Sequence, residues 1–166
     1  MGDDGARQLS PLFGRSILRW DQRAGVYQLN LDEDYRRILR ELMEQLLGLL
    51  EDPDAPVLYR VFPPAYSDPS DVARQDEYRR LMMEDLVERR REECRMVLET
   101  AEQKTLTEDQ LLAWTRTINS LRLVLGTYLD VSEDDEPGPA QTVEESAYQW
   151  LSLLLEEAVE ALSRHT

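Results

Sequence analysis

The residues best suited to chemistry are arginines gathered into one part of an acidic chain. Arg79, Arg80, Arg89, Arg90, Arg91, Arg95, Arg116 and Arg122 all fall between Asp76 and Val131. A guanidinium carries five donors in a planar fork, which suits carboxylates and phosphates. In DEYRRLMMEDLVERRREECRMVLET, a step of helical length from Leu86 toward Cys94 lands on Arg89 or Arg90, so one arginine should point partly inward. Such a position suits an anion or acidic-partner site, with Arg79, Arg80 and Arg91 on the same helix, or an internal ion pair with a nearby carboxylate. Arg116, Asn119 and Arg122 recur every three residues and share a polar helix face. That face would offer a hydrogen-bonding edge to a partner or nucleic acid, or simply be solvated.

Cys94 lies among Arg91, Glu92, Glu93 and Arg95. A neighbouring arginine favours thiolate, whereas glutamates and burial oppose it, so the residue reads either as a redox-sensitive thiol or as a small packing group. It is the only cysteine, which excludes an internal disulfide and a zinc site built from this chain's own cysteines. The single histidine, His165, is the penultimate residue, where chains commonly fray. Trp114, Trp150, Tyr148 and Tyr128 have rings able to stack nucleobases, but they lie on or beside apolar stripes and are read as core. Glu156, Glu157 and Glu160 lack the Glu-x-x-His pattern of helical di-iron sites, and the sequence holds no Gly-rich phosphate loop, nucleophile elbow or metal-binding His pair. The expectation is a non-enzymatic protein with no catalytic, cofactor-binding or metal-binding residues.

Composition narrows the partners. At 42% hydrophobic and 32% charged, 166 residues suffice for one domain with a core that needs no disulfides. The net charge of −15 repels nucleic acid and anionic membranes at long range, so promoter DNA is expected only in complex with another protein. The chain opens MGDDGARQ rather than with a basic and then apolar signal, and no run approaches the roughly 20 apolar residues of a membrane span. A cytoplasmic location without membrane attachment follows as the expectation.

The elements that must position these residues are mainly helical. Residues 1–11 read as a loose tail and 12–166 as a single helical domain. A hairpin is expected over 15–31, with Tyr27, Leu29 and Leu31 on one face and a turn at 21–24. Helices are expected at about 32–51, 72–101, 107–128 and 142–163. The first carries Tyr35, Ile38, Leu39, Leu42, Leu46, Leu49 and Leu50 as its stripe, begins at Asn30 or Asp32, and stops at DPDAP. VLYRVF at 57–62 reads as a strand or buried extended segment. The second helix should bury Tyr78, Met82, Leu86, Cys94, Val97 and Ala101, with a gap between Leu86 and Cys94 and with Leu81 and Val87 widening the stripe. The third opens with a capping box from Thr107 to Gln110, and its seam is Leu111, Trp114, Ile118, Leu121, Leu125 and Tyr128. Gly126 is a candidate to end that helix. An acidic loop spans 132–140, and Thr142 with Glu145 opens a last helix that buries Ala147, Tyr148, Leu151, Leu154, Leu155, Ala158 and Leu162. The fold class is therefore mainly α, about four helices with a small N-terminal β-hairpin packed on them.

At EYRRLMMEDLVERRR, LTEDQLLAWTRTINSLRLVLGTYLDV and YQWLSLLLEEAVEAL the chain resembles an actinobacterial domain-of-unknown-function family that includes oxidative-stress transcriptional regulators of the AosR type. The resemblance runs from the hairpin to the last helix and is strongest around Trp114, Asn119, Arg122 and Gly126. It implies a regulator that acts through a protein of the transcription machinery, RNA polymerase or a sigma factor, with redox input. With one cysteine, oxidation would have to act through an intermolecular bond or a mixed disulfide with a small thiol. Family members are often encoded near the ClpS protease adaptor, so the resemblance also implies an alternative, an adaptor or binding module in regulated proteolysis. Homo-oligomerisation stays open.

Overall fold

Strand β1, Leu18–Asp21, pairs antiparallel with β2, Val26–Leu29, with Leu18 opposite Leu29 and Trp20 opposite Tyr27. The computed structural model describes residues 16–62, 72–132, 134–136 and 138–165, with backbone alone at 72–75; the tail expected at 1–11 and the start of the hairpin at 15 lie outside them. The Asp21 carboxylate shapes the turn by accepting from the N–H groups of Arg23 and Ala24 at 3.0 and 3.1 Å. Gly25 completes it with φ +67°, a backbone region that costs glycine nothing. Tyr27, Leu29 and Leu31 are buried together, as their alternation requires. A third strand, β3 at Thr105–Leu106, pairs with the other edge of β2, so the hairpin is really a three-stranded sheet in the order β1-β2-β3. Two residues between helices are too short to show a period, which hid this strand in the sequence.

Helix α1, Glu33–Leu49, starts after Asp32, with Glu33 and Asp34 in its first turn near the positive dipole end. Asp32 makes no side-chain cap bond, and the Asn30 amide donates instead to the Ser16 carbonyl. Tyr35, Leu39, Met43, Leu46 and Leu50 are buried, while Ile38, Leu42 and Leu49 flank them half-buried, so Met43 holds the position expected for Leu42. After Pro53 the chain forms a short 3-10 turn, Pro56–Leu58, rather than the expected strand. Proline suits a helical first position because its fixed φ is already helical and its missing donor is not needed there. Leu58 and Phe62 then bury side by side at a spacing of four. PPAYSDPSD at 63–71, expected to be irregular, lies outside the described residues.

Helix α2, Val72–Thr100, corrects the expected stripe. Tyr78, Met82 and Leu86 are exposed, and the core side runs Met83, Val87, Arg90, Cys94, Val97 and Ala101 at spacings of four, three, four, three and four. The interruption between Leu86 and Cys94 was a phase error of one residue. Arg90 is the single polar member of an unbroken seam.

Helix α3, Glu108–Tyr128, is central and packs on both α2 and α4, Val143–Arg164. Its start is fixed by the reciprocal bonds of the capping box, Gln110 N–H to Thr107 at 3.2 Å and Thr107 N–H to the Gln110 side chain at 2.9 Å. Besides Leu111, Trp114, Ile118 and Leu121, it buries Ala113, Thr117, Ser120 and Val124, a second row of mostly small side chains. The hydroxyls of Thr117 and Ser120 donate to carbonyls four residues back at 2.8 and 3.1 Å, which removes the cost of burying them. Gly126 does not end the helix. Asp130, at φ 55°, takes that place, with Val131 N–H on the Gly126 carbonyl at 2.8 Å and Asp130 N–H on Thr127 at 3.2 Å, a Schellman close. Tyr128, expected on the seam, is exposed at that terminus.

In α4, Thr142 accepts from Glu145 N–H at 3.1 Å, while the Glu145 carboxylate reaches past Thr142 to Gln141 N–H at 2.6 Å. Trp150, Leu151, Leu154, Ala158 and Leu162 form the buried side, with Ala147, Tyr148 and Leu155 half-buried. Trp150 stacks on Tyr35 with ring centres 5.2 Å apart, tying α4 to α1. His165 is not frayed. It closes α4 and stacks on Trp20 at 4.8 Å. Among the described residues the fold is mainly α, four long helices with a small antiparallel sheet built on the N-terminal hairpin. Among the described residues no helix is long and apolar enough to cross a membrane.

Candidate interaction surfaces

The arginines separate into three groups. In the first, Glu93 accepts from Arg90 on its own helix at 2.8 Å and from Arg116 of α3 at 3.4 Å, so one carboxylate clips α2 to α3. Arg91 donates to the Leu50 carbonyl at 3.0 Å, placing a cation on the negative end of α1, and lies 3.7 Å from Glu88. Glu88 also pairs with Arg95 at 3.4 Å. Arg91 and Arg116 thus join helices, Arg90 steadies the Glu93 that Arg116 meets, and Arg95 is paired along its own helix.

The second group stands on the first half of α2. Arg79, Arg80 and Arg89 are exposed and make no hydrogen bond or ion pair among the described residues. Arg79 and Arg80 line a shallow groove with Glu51, Asp54, Asp76 and Glu84. Beside them Tyr78 and Leu81 are 63% and 62% exposed, and Met82 and Leu86 are exposed as well. Steps of three, four and eight from Tyr78 put these side chains on adjoining turns of one side, with Arg89 seven residues after Met82 on the same side. Sequence reading placed all four on the core stripe, because a large apolar residue at helical spacing looks the same whether or not another helix covers it.

Arg122 forms the third group. It does not share a working face with Arg116, which is engaged by Glu93. Asn119 is half-buried between them. Arg122 instead lines a groove of about 1440 Å³ with Tyr59, Arg60, Asp135, Glu136 and Tyr148. Its Nε is buried without a hydrogen-bond partner among the described residues. Arg60 is held over the Tyr59 ring, 5.6 Å from its centre, and donates to the Tyr59 hydroxyl at 2.9 Å and the Val131 carbonyl at 3.0 Å. A Cβ at Gly126 would come within 3.2 Å of the Tyr148 ring, so this glycine permits the ring's close approach, and Arg60 would lie in ordinary contact with it at 3.5 Å.

Cys94 is 1% exposed on the seam of α2. Burial first, and then the charge of Glu93, push its thiol up to about 12, so at neutral pH it is a shielded thiol rather than a thiolate. Trp114 is equally internal and donates through Nε1 to the Thr100 hydroxyl at 2.6 Å. Among the described residues no group of three or more His, Cys, Asp or Glu side chains could hold a metal ion.

Arg36 carries the largest polar hub and no sequence signal pointed to it. It is buried, and its guanidinium donates to the carbonyls of Leu29, Leu31, Ala101 and Gln103 at 3.3, 2.9, 2.6 and 2.7 Å. Desolvation lowers its pKa, but an arginine stays charged in protein. It gathers the end of β2, the approach to α1 and the exit from α2 around one cation.

A family model described as Domain of unknown function (DUF2017) matches residues 17–162, from the residue before β1 to the last turn of α4. The chain belongs to this family. Its match covers every helix and strand described above except the last two residues of α4. A relative from Mycobacterium leprae (strain TN), named "Putative oxidative stress regulator AosR", is 30% identical over 137 residues, covering 69% of this chain and 62% of that protein. The chain thus spans less than two thirds of the length of that curated relative. No solved structure matches.

Proposed function

We propose that this protein is a non-enzymatic cytoplasmic regulator that works by docking on a protein of the transcription machinery, RNA polymerase or a sigma factor, through the first half of α2. The observation that carries the reading is the uncovered set Tyr78, Leu81, Met82 and Leu86 beside Arg79, Arg80 and Arg89. Large apolar anchors rimmed by arginine are what interface centres are made of. A helix presenting them at spacings of three and four fits a groove on a partner. The name of the relative supports the regulatory side of this reading. The net charge of −15 opposes direct DNA binding, so promoter contact runs through the partner.

The test is binding of the purified chain to core polymerase, holoenzyme and free sigma factors of its host, repeated with the Tyr78→Ser, Leu81→Ser double variant. Because both side chains are exposed, the variant should keep its melting temperature and lose at least about ten-fold in affinity, the equivalent of about 1.4 kcal/mol. Absence of binding to all of these proteins refutes the reading, as does binding that ignores the double substitution. Binding to ClpS-linked protease components in their place would move the function to the adaptor alternative.

A further inference from the structure

We propose that the groove between α3, α4 and residues 59–60 is a peptide site, one that seats a single carboxylate on Arg122 and Arg60 and takes basic neighbours of that carboxylate against Asp135 and Glu136. It is separate from the α2 surface and does not depend on it.

Four observations converge. Arg122 is half-buried, with a buried Nε and no hydrogen bond or ion pair among the described residues, in a chain with 34 carboxylates. Arg90 also leaves its Nε unpaired, but its other nitrogen holds Glu93. No carboxylate of the described residues pairs with the Arg122 guanidinium, which lines the groove and so can meet an arriving carboxylate there. The second observation is Arg60. It lies 3.5 Å from where a Gly126 Cβ would stand, and Gly126 follows Arg122 by four residues, one turn along the same side of α3. Both side chains line the groove, and Arg60 is already fixed by Tyr59 and Val131, so it loses little freedom when a ligand arrives.

Size and charge name the ligand. At about 1440 Å³ the groove exceeds the ~300–1,000 Å³ of small-molecule sites, which suits a stretch of chain rather than a metabolite. Asp135, Glu136 and Glu145 also line it, so its two cations face three anions. A phosphate dianion is repelled by such a wall. A lone carboxylate with basic flanks is matched by it. Asp135 and Glu145 are braced by the N–H groups of Ser132 and Gln141 at 2.7 and 2.6 Å, which fixes their charge at the rim.

The experiment passes a random nonapeptide library, including phosphoserine, over the immobilised full chain and sequences what is retained. The expected pool is enriched at least five-fold in peptides with one Glu or Asp and a Lys or Arg within a few positions. Arg122→Gln should abolish that enrichment. Since Arg122 is half-buried, Glu136→Lys at the exposed rim provides the second variant: it should erase the preference for basic flanks and keep the carboxylate. A pool that is apolar, phosphorylated or unenriched overturns the proposal, as does carboxylate selection that survives Arg122→Gln.

Discussion

Replacing Arg36 by Met keeps the aliphatic stem and removes the guanidinium that four carbonyls share. The carbonyl of exposed Gln103 can turn to water, whereas those of buried Leu29, Leu31 and Ala101 have less access to it. Each hydrogen bond to a charged group is worth about 1.5–3 kcal/mol, but such terms do not add, and the variant no longer bears the cost of holding a cation out of water. The net loss should be about 3–5 kcal/mol, a large part of the ~5–15 kcal/mol that holds an ordinary domain together. For a chain of this length that lowers the melting temperature by about 6–20 °C. Arg36→Lys retains a charge with three donors but not the planar fork, and should lose about half as much. Urea unfolding followed by tryptophan fluorescence gives the midpoint and slope for each variant. A loss below about 1 kcal/mol for Arg36→Met at unchanged slope would refute the hub, because the sheet, α1 and the end of α2 would then be held by apolar packing alone.

Three further outcomes follow from single residues. Asp130→Gly should stabilise the protein by about 0.5–1 kcal/mol in the same urea titration, since Asp130 holds φ 55° in a position that favours glycine. Thr100→Val removes the acceptor of the buried Trp114 N–H and should cost about 1–3 kcal/mol, with a changed near-ultraviolet circular dichroism band. The Cys94 thiol titrates near 9 when unfolded and at about 12 when folded, so the unfolded chain sheds its proton first and stability falls as pH rises through this window. Between pH 9 and 10 the wild type should lose up to about 1 kcal/mol more than Cys94→Ala, and a thiol reagent at pH 7 should label Cys94 only on unfolding. Equal pH slopes, or rapid labelling of the native chain, would contradict its burial.

What could be read from the sequence was local. The capping box at Thr107 and Gln110, the proline stop after α1, the inward face of β2 and the seam from Leu111 to Leu121 each involve residues close in the chain, and each is found in the structure. What could not be read depends on partners far away. Arg36 meets Ala101 and Gln103 across 65 and 67 residues, and β3 gains its strand character only by pairing with β2. The phase of α2 failed for the same reason: periodicity names a stripe, but only the extent of neighbouring helices decides which turns are covered.

That failure also changes what the arginines mean. In a chain with 34 carboxylates an arginine has a partner within reach almost anywhere, and Arg90, Arg91, Arg95 and Arg116 each have a carboxylate partner. Clustering in sequence is therefore poor evidence of a binding surface, since the tightest cluster, Arg89 to Arg91, is divided between the seam, the end of α1 and solvent. Between Asp76 and Val131 the informative arginines are those left without a partner among the described residues. Arg79, Arg80 and Arg89 stand beside uncovered apolar side chains, and Arg122 faces a groove with a buried donor unsatisfied. A protein that satisfies its other seam and interhelical cations internally, and leaves these at two separate places, presents two surfaces of different chemistry: an apolar helix side with a cationic rim, and a recess selective for one carboxylate. The two surfaces are separable in practice: the double variant Tyr78→Ser, Leu81→Ser should leave peptide selection intact, and the single variant Arg122→Gln should leave docking by α2 intact.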